Sequence, residues 1–583
     1  MRTRGIALQQ ESLTGGERIA RLLRAQGLRT VFALAGAGHT HLLDALDRAG
    51  LRIVGGRHES GTIHAADGYS RVTGRLGVAL TIADQGLPNA ITGLAAAKQA
   101  CSPVLVLLAR LPERWIEAET EYDAASLSLL QPVTKWCRTV PSADRLEDYL
   151  LAACRRALAG RPGPVVLQLP QEVMSARTPW DALPRLPTPP RPAADPAAIE
   201  LAADLLAAAR RPLVVAGAGA TRGGAGPALR SLSEELELPV TGNGLGRGLV
   251  AEDWRSGFAW PLAQIAARHA DAVLLVGARL TQRLGHGLPP RFSAEARFVQ
   301  IDVEAAELSR NRRIDVAIAA DAGLACAQLL AATRTRRAAR AAEPGWLRDA
   351  LRERLDYLEH AAATPGPAIH PLRLGRELAS RLPSDAIVVG DGADILNWMY
   401  GALRIGVSPG FLDHYPLGAM GMGTGLAVGA AAAARELAEA SGEPEKRVVL
   451  VTGDGSLGFN PMELQAAAQA GLRLLTVVGN DGAWGTELHG QREAIGRDLN
   501  TLLGLQRWDR FAGVFGGHGE RVESPELLGA ALDRAFAARE PAILDVAIDP
   551  EAGAELKRNP LARMIQFEDL ASGLAAQRAG RPA

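Results

Sequence analysis

The chain has 583 residues, 47% of them hydrophobic, and its Lys and Arg residues equal its Asp and Glu residues at 64 each. This length predicts about three to four domains with an ample apolar core, and the balanced charge gives no support for a nucleic-acid partner. No apolar run is long enough to span a membrane, and the first ten residues lack the apolar core of a signal peptide. We therefore expect a cytoplasmic protein with no membrane partner.

Short apolar runs alternate with helical stretches through the first part of the chain. Thr14 and Glu17 have the spacing of a capping box, which predicts the start of a helix. Buried strands are predicted at residues 31–35, 51–54, 78–82 and 104–108. Such alternation is typical of an α/β fold with a doubly wound parallel sheet.

The stretch 448–485 carries the strongest local signal. An apolar strand ends in Gly453-Asp454-Gly455, a helix follows, and a second strand at 472–478 leads to Asn480-Asp481-Gly482. In such a βαβ unit, Asp454 and Asp481 lie at the carboxyl ends of parallel strands, where open α/β sheets bind ligands. Their oxygens, together with a backbone carbonyl and a diphosphate, suit Mg²⁺.

The spacing of these residues is more specific than the turn itself. A second copy, Gly390-Asp391-Gly392, is followed 27 residues after Asp391 by Gly418, which has no side chain to offer a metal. The residue 27 positions after Asp454 is Asp481. Gly-Asp-Gly, 24 further residues and Asn-Asp resemble the thiamin diphosphate motif of the acetolactate synthase, decarboxylase and 2-hydroxyacyl-CoA lyase superfamily. Members of the superfamily usually have Asn at the position of Asp481, so a carboxylate here replaces an amide.

This resemblance implies thiamin diphosphate and Mg²⁺ as cofactors. The metal ligands that it implies are Asp454, Asp481 and the backbone carbonyl of Ala483. The residues implied to surround the diphosphate are Gly453, Gly455 and Ser456.

Two further segments resemble the same superfamily. Glu59 begins a helix of small residues and matches the activating glutamate, which is implied to hydrogen bond N1′ of the aminopyrimidine and promote loss of the thiazolium C2 proton. The alternative is a surface glutamate that complements the helix dipole. The segment 417–423 resembles the one that bends the cofactor, with Met420 between the two rings and the Gly418 carbonyl accepting from the 4′-amino group. Met420 as ordinary core filling is the alternative.

The resemblance covers nearly the whole chain and implies three doubly wound domains and a tail. They are an N-terminal pyrimidine-binding domain at 1–175, a central domain at 198–332, a diphosphate-binding domain at 368–550 and a C-terminal tail at 551–583 packed over a domain or an active site. Between them we predict an extended proline-rich linker at 176–197 and a linking helix at 333–362.

Two expectations concern assembly and the central domain. Because Glu59 and the metal motif lie in different domains, the resemblance implies active sites between chains, hence a homodimer or homotetramer. The turn from Gly217 to Gly223 loosely resembles a dinucleotide turn. Superfamily members bind FAD, ADP, CoA or no nucleotide in this domain.

The chain retains Glu59, Met420, Asp454 and Asp481 together, which favours a catalyst over a non-catalytic paralogue that keeps the fold for binding. The acceptor-site features of acetolactate synthases are poorly matched. Tyr122 stands where the synthases have Gln, and the turn Ala83-Asp84-Gln85-Gly86 replaces their Ser-Gly-Pro-Gly. Gln85 and Tyr122 are therefore candidate substrate-pocket residues, as is Trp484.

The segment 486–493 is predicted to be a loop that reaches over the thiazolium, with Glu493 moving the proton of a substrate hydroxyl. A solvated helix start is the alternative for this segment. We expect reversible cleavage of a 2-hydroxyacyl-CoA into a ketone or aldehyde and formyl-CoA. The alternative is acetolactate synthase-type carboligation, or decarboxylation, of a 2-oxo acid.

Overall fold

The computed structural model of the protein describes residues 11–36, 38–82, 85–118, 126–180, 189–336, 341–364 and 366–564. These residues form three six-stranded parallel sheets with flanking helices and one two-stranded antiparallel pair. The predicted α/β class with three doubly wound parallel sheets is confirmed. None of the helices in these ranges is both long enough and apolar enough to cross a membrane.

The first sheet has the strand order β3-β2-β4-β5-β7-β6. Its strands are almost continuous apolar runs because helices cover both faces of a parallel sheet. The strands of this part of the chain are β1 (Ser12–Thr14), β2 (Thr30–Ala33), β3 (Arg52–Gly55), β4 (Gly77–Ile82), β5 (Val104–Arg110), β6 (Trp136–Thr139), β7 (Val165–Pro170) and β8 (Arg177–Pro179). The helices are α1 (Gly15–Ala25), α2 (Thr40–Arg48), α3 (Glu59–Thr73), α4 (Gly86–Gln99), α5 (Ser126–Leu130), α6 (Leu146–Leu158) and α7 (Gln171–Ser175).

The capping box before α1 is confirmed. The Glu17 N–H donates to Thr14 Oγ1 at 3.2 Å, and the Thr14 N–H donates back to Glu17 Oε2 at 2.8 Å. The predicted extended linker at 176–197 was wrong at both ends, and its residues 181–188 lie outside the described ranges. Pro196 and Ala197 begin the helix Pro196–Ala208, and Arg177–Pro179 form β8, which pairs with β1. This pair is only three residues long, and a strand end or edge is where a sheet tolerates proline.

The second sheet has the strand order β11-β10-β9-β12-β13-β14. Its strands are β9 (Pro212–Ala216), β10 (Val240–Gly242), β11 (Gly257–Ala259), β12 (Ala272–Val276), β13 (Arg297–Asp302) and β14 (Val316–Ala319). Its helices are α8 (Pro196–Ala208), α9 (Ala218–Arg222), α10 (Gly226–Leu236), α11 (Trp260–Ala263) and α12 (Ala322–Arg334).

The glycines after β9 have a packing explanation. A Cβ on Gly219 would lie 2.7 Å from Gly277 Cα, and a Cβ on Gly217 would lie 2.5 Å from the Gly277 carbonyl oxygen. The loops that follow β9 and β12 can therefore approach only because glycine stands at these positions. Packing alone therefore explains why glycine stands at positions 217 and 219, and no bound nucleotide is needed for that explanation.

The third sheet has the strand order β16-β15-β17-β18-β20-β19. Its strands are β15 (Ile387–Gly390), β16 (Phe411–Asp413), β17 (Val448–Gly453), β18 (Leu474–Asn480), β19 (His518–Val522) and β20 (Ala542–Ala547). The helices from residue 346 onward are α13 (Trp346–Ala350), α14 (Arg352–Ala363), α15 (Pro371–Ala379), α16 (Asp394–Ala402), α17 (Met422–Ser441), α18 (Asp454–Leu457), α19 (Glu463–Gln469), α20 (Gly485–Ile495), α21 (Trp508–Phe511), α22 (Leu528–Ala537) and α23 (Ala552–Arg558).

Three sequence-based assignments in this region were wrong. The predicted linking helix is not continuous, because its described residues include two separate helices, α13 and α14. The single helix predicted after Asp454 is divided into α18 and α19. The segment 486–493 is not a loop, because it lies within α20. The predicted domain boundaries themselves stay predictions.

The chain divides into two compact units. The first contains the chain up to Pro190 together with Tyr415–Glu443 and Met462–Ala470, and the second contains the rest. Within the first unit, α17 packs along α3. A Cβ on Gly425 would lie 2.7 Å from the Gly61 carbonyl oxygen, so small residues let these two helix backbones approach closely.

Candidate active site

The register of the third sheet brings two acids together. Gly453 of β17 is paired with Gly479 of β18, and α18 begins immediately after the first of these strands. Asp454 is the first residue of α18 and is buried, whereas Asp481 is half-buried just beyond β18. The Ala483 N–H donates to Asp481 Oδ1 at 3.1 Å and holds that carboxylate in the turn.

The two carboxylates disfavour each other's charge. Burial, and then the neighbouring charge of Asp481, raise the pKa of Asp454, and burial likewise raises the pKa of Asp481. Asp454 Oδ2 is buried and has no hydrogen-bond partner among the residues described. His489 lowers the pKa of Asp481 but does not offset the effect of burial, and a divalent cation with oxygen ligands would compensate both carboxylates.

The two acids would not complete a metal site by themselves. Within the described ranges, no group of three or more His, Cys, Asp or Glu side chains is arranged to hold a metal ion. A cation at Asp454 and Asp481 would therefore take its remaining ligands from a backbone carbonyl, phosphate oxygens or water. That is the usual donor set of Mg²⁺, so the residues present fit this metal together with a diphosphate.

A third acid, Asp394, lies beside Asp481 and was missed by the sequence analysis. Burial of its carboxyl, and then the charge of Asp481, raise the pKa of Asp394 to about 7. A Cβ on Gly485 would lie 2.5 Å from Asp481 Oδ2 and 3.1 Å from Asp394 Oδ2, so glycine lets both acids reach the start of α20. The missed signal was the position of Asp394 after β15, the strand beside β17.

The start of α23 packs against the same acid. A Cβ on Gly553 would lie 2.9 Å from Asp394 Oδ2 and 2.8 Å from Nε2 of His489 on α20. His489 Nε2 is also 2.8 Å from the Pro550 carbonyl oxygen. Gly553, in the predicted tail, therefore packs against Asp394. Residues 565–583 of that tail lie outside the described ranges.

The second Gly-Asp-Gly turn has a different environment. Asp391 and His414 follow β15 and β16, and Asp391 Oδ1 lies 3.3 Å from His414 Nδ1 with both side chains fully buried. The Gly392 N–H also donates to Asp391 Oδ1 at 2.7 Å. The carboxylate of this copy thus accepts from a backbone N–H and lies beside an imidazole, whereas Asp454 lies beside a second acid.

The other residues predicted around the diphosphate lie near Asp454. Gly453 is the residue that precedes α18, and Ser456 is buried within it. A Cβ on Gly455 would lie 2.6 Å from Cζ3 of Trp484, so this glycine makes room for the indole ring. Trp484 also packs edge-on against Phe459, with ring centroids 6.1 Å apart.

Glu59 belongs to the first unit. It is the first residue of α3 and only 6% exposed, so it is not the surface glutamate of the alternative interpretation. Asn89 Nδ2 donates to Glu59 Oε2 at 3.0 Å, and a Cβ on Gly86 would lie 2.9 Å from Glu59 Oε1. The carboxylate is therefore fixed by α4 on one side, and its role in activation stays a prediction.

The remaining predicted residues fall in varied surroundings. Gly418 has a φ of +80°, a conformation that favours glycine, and Met420 is half-buried two residues before α17. Gln85 is exposed at the start of α4, and Glu493 is exposed on α20. Tyr122 lies outside the described residues.

Comparison with known proteins finds a match within each of the three sheets. Residues 13–127 match the N-terminal TPP-binding domain of thiamine pyrophosphate enzymes, residues 199–329 match their central domain, and residues 391–546 match their C-terminal TPP-binding domain. These three matches follow the predicted order along the chain.

Similar proteins match almost end to end. The chain is 32% identical to the "Acetolactate synthase large subunit IlvG" of Mycobacterium tuberculosis and to the "Probable acetolactate synthase" of Mycobacterium bovis, over 94% of this chain and 98% of each of them. It is 28% identical to "2-hydroxyacyl-CoA lyase 1" of Mus musculus, over 93% of this chain and 95% of that protein. The chain therefore belongs to the family of thiamine pyrophosphate-dependent enzymes.

Proposed function

We propose that the protein uses thiamin diphosphate and Mg²⁺ to form or break a carbon–carbon bond next to a carbonyl carbon. The observation that carries this proposal is the pair Asp454 and Asp481, two acids at adjacent strand ends, with burial raising the pKa of both carboxyl groups. One of their oxygens is buried with no hydrogen-bond partner in the described structure. A divalent metal that also binds a diphosphate would relieve the repulsion between the carboxylates.

Each predicted residue then has a defined task. Asp454, Asp481 and the Ala483 carbonyl would hold the metal, and Gly453, Gly455 and Ser456 would lie against the diphosphate. Glu59 would hold a proton at N1′ of the aminopyrimidine, with Asn89 fixing its carboxylate. When bound, the cofactor would supply the carbon nucleophile that attacks the substrate carbonyl.

For the substrate we propose a 2-oxo acid. Both 32% identical relatives are named as acetolactate synthases, and they match the chain over nearly its full length. A 2-hydroxyacyl-CoA is the second candidate, supported by the 28% identical lyase and by the Gly-Asn-Asp sequence at 479–481. The proton-transfer residue predicted for that reaction, Glu493, is exposed on α20, which weakens the lyase assignment.

The experiment is to supply thiamin diphosphate and Mg²⁺ with either pyruvate or a short branched 2-hydroxyacyl-CoA, and to identify the products. Acetolactate or CO₂ from pyruvate supports the proposal. Formyl-CoA with a ketone would assign the lyase reaction instead. A protein that binds neither cofactor, measured by calorimetry, would contradict the proposal and favour the non-catalytic paralogue. Asp454→Ala serves as the control that loses the cofactor.

The assembly is part of the same proposal. We infer a homodimer or homotetramer, since superfamily members build the active site between chains. Light scattering coupled to gel filtration measures the mass directly, and a monomer of 61.4 kDa that is fully active would contradict it.

A further inference from the structure

Two buried glutamates contact helix α3 within the first unit. Glu463 on α19 contacts the segment at the beginning of α3. Near the other end of α3, the Tyr69 hydroxyl donates to Glu436 on α17 at 2.9 Å. Each glutamate is only 1% exposed. A buried carboxylate is costly unless donors surround it, so each position needs an explanation.

Glu463 binds the backbone that leads into α3. Its Oε1 accepts the N–H of Arg57 at 3.1 Å and the N–H of His58 at 3.0 Å. Donors at a helix start have no partner within the helix, and a negative charge there also complements the helix dipole. Glu463 thus binds the two residues immediately before Glu59.

Glycine at position 61 makes this contact possible. A Cβ on Gly61 would lie 2.6 Å from Glu463 Cδ and 2.9 Å from its Cγ. No side chain at 61 could coexist with this position of the carboxyl group. Gly61 and Glu463, which are 402 residues apart in the chain, therefore fit each other sterically.

Helix α19 makes further contacts with the same connection. Arg57 Nε donates to Gln465 Oε1 at 2.6 Å, and Arg57 Nη2 donates to Gln469. The backbone and the side chain of Arg57 are thus both bound by α19. Glu59 lies two residues further on, and Asn89 fixes its carboxylate from α4.

We propose that Glu463 is a positioning residue for Glu59. By binding the amides of Arg57 and His58, it fixes the first turn of α3 and with it the place of the Glu59 carboxylate. This positioning role rests on the proposed function, in which Glu59 forms a hydrogen bond with N1′ of the cofactor. A displacement of about 1 Å at such a group can cost about 100-fold in rate.

The buried position of Glu463 agrees with this role. Burial raises the pKa of Glu463 to about 7, while the two backbone donors and the charge of Arg57 oppose the rise. In the segment that Glu463 binds, the charged or titratable residues are Arg57, His58 and Glu59. Gln469 and Gln465, on its own helix, are neutral.

The test compares Glu463→Ala, Glu463→Gln and the control Glu436→Gln in the full-length protein. We would measure deuterium exchange at C2 of thiamin diphosphate at saturating cofactor and Mg²⁺, together with the cofactor Kd. Glu463→Ala should slow exchange by about 10- to 100-fold with a less than about threefold change in Kd. Glu463→Gln keeps an acceptor oxygen and should restore most of the rate, and Glu436→Gln should leave it unchanged.

A second readout needs no cofactor. Amide hydrogen exchange of the peptide spanning 55–62 should accelerate in Glu463→Ala and stay unchanged in Glu436→Gln, because only the first variant frees the Arg57 and His58 amides. If Glu463→Ala does not fold, Glu463→Asp replaces it, since its shorter side chain should not reach both amides.

The outcomes separate this proposal from the proposed function. Wild-type C2 exchange in a folded Glu463→Ala protein would overturn the positioning role while leaving the proposed function intact. A wild-type protein that binds no thiamin diphosphate would overturn both. Equal slowing in Glu463→Ala and Glu436→Gln would indicate a general loss of packing and would also overturn the proposal.

Discussion

Gly453 and Gly479 are register partners on adjacent strands of the third sheet. β17 ends at Gly453 and β18 ends one residue beyond the partner of Gly453, at Asn480, so Asp454 and Asp481 directly follow the ends of neighbouring strands. Because parallel strands share one carboxyl edge, this relationship follows from the βαβ unit itself. The two like charges disfavour each other, so the folded protein should be less stable unless a cation binds them.

Asp454→Asn should stabilise the cofactor-free protein and abolish stabilisation by the cofactor. Removing one charge relieves the repulsion with Asp481, and we expect a gain of about 1 to 2 kcal/mol in unfolding free energy. In the wild type, thiamin diphosphate with Mg²⁺ at 100 times its Kd should add about 2.7 kcal/mol. Urea unfolding with and without the cofactor pair measures both effects. A less stable cofactor-free variant would show that the repulsion is small.

Asp481→Asn should keep activity but require more Mg²⁺ for half-saturation. A carboxylate attracts the metal and repels the diphosphate; two unit charges about 5 Å apart contribute roughly 3 kcal/mol at an effective dielectric constant of 20. A bound Mg²⁺ would carry two charges and, as a ligand of Asp481, would lie closer to this carboxylate than the diphosphate, so the attraction should prevail. Activity measured as a function of Mg²⁺ concentration gives the half-saturation value for each protein. A lower value in the variant would show that repulsion of the diphosphate outweighs attraction of the metal.

Glu59→Gln should lose C2 deprotonation while folding and Mg²⁺ binding remain. Removal of a general acid or base costs about 10² to 10⁴ in rate. The side chain keeps its size, and Asn89 can still donate to the amide oxygen. Deuterium exchange at C2 of the cofactor, followed by NMR, reports this step alone. Unchanged exchange would remove Glu59 from the mechanism.

The stability of the cofactor-free protein should depend on pH through Glu463. Its folded pKa of about 7 lies above its ordinary value of 4.5, so the folded state binds the proton more tightly. The corresponding stability is fully present below pH 4.5 and is lost as pH rises through about 7. Between pH 5 and pH 8 the loss should be about 2 to 3 kcal/mol. Glu463→Gln should remove it, and equal slopes in urea melts of both proteins would contradict this.

Gly61→Ala should destabilise the protein by about 1 to 3 kcal/mol, because the added methyl group would collide with the Glu463 carboxyl group. Gly490→Ala is the matched control. It also adds one methyl group inside a helix, but nothing lies within 4 Å of its Cβ position. That variant should be neutral or more stable by up to about 1 kcal/mol. Thermal melts that rank the two variants in the opposite order would contradict the packing at Gly61.

Local patterns predicted much of the fold. The capping box of Thr14 and Glu17 and the apolar strands depend on neighbouring residues, so the sequence reveals them. Strand β8 was missed because three residues beside prolines carry no strand signal until β1 pairs with them. Helix α20 was missed for another reason. Its residues have weak apolar periodicity, and the family resemblance suggested a loop.

The site was predictable where one motif contains both partners. Asp454 and Asp481 belong to one βαβ unit, so their spacing places them together. Asp394 required knowledge that β15 lies beside β17, and Glu463 required the contact between α19 and the start of α3. Such contacts join residues far apart in the chain. A single sequence does not specify them.

The discontinuity of the first unit has a consequence for biosynthesis. Helix α3 is buried from Glu59 to Val72, and α17 and α19, which cover part of it, come from residues far beyond Pro190. A nascent chain that has emerged only to Pro190 lacks both helices and leaves the part of α3 that they cover exposed to water. This part of the molecule can therefore reach its final packing only after the ribosome has translated the chain through Ala470.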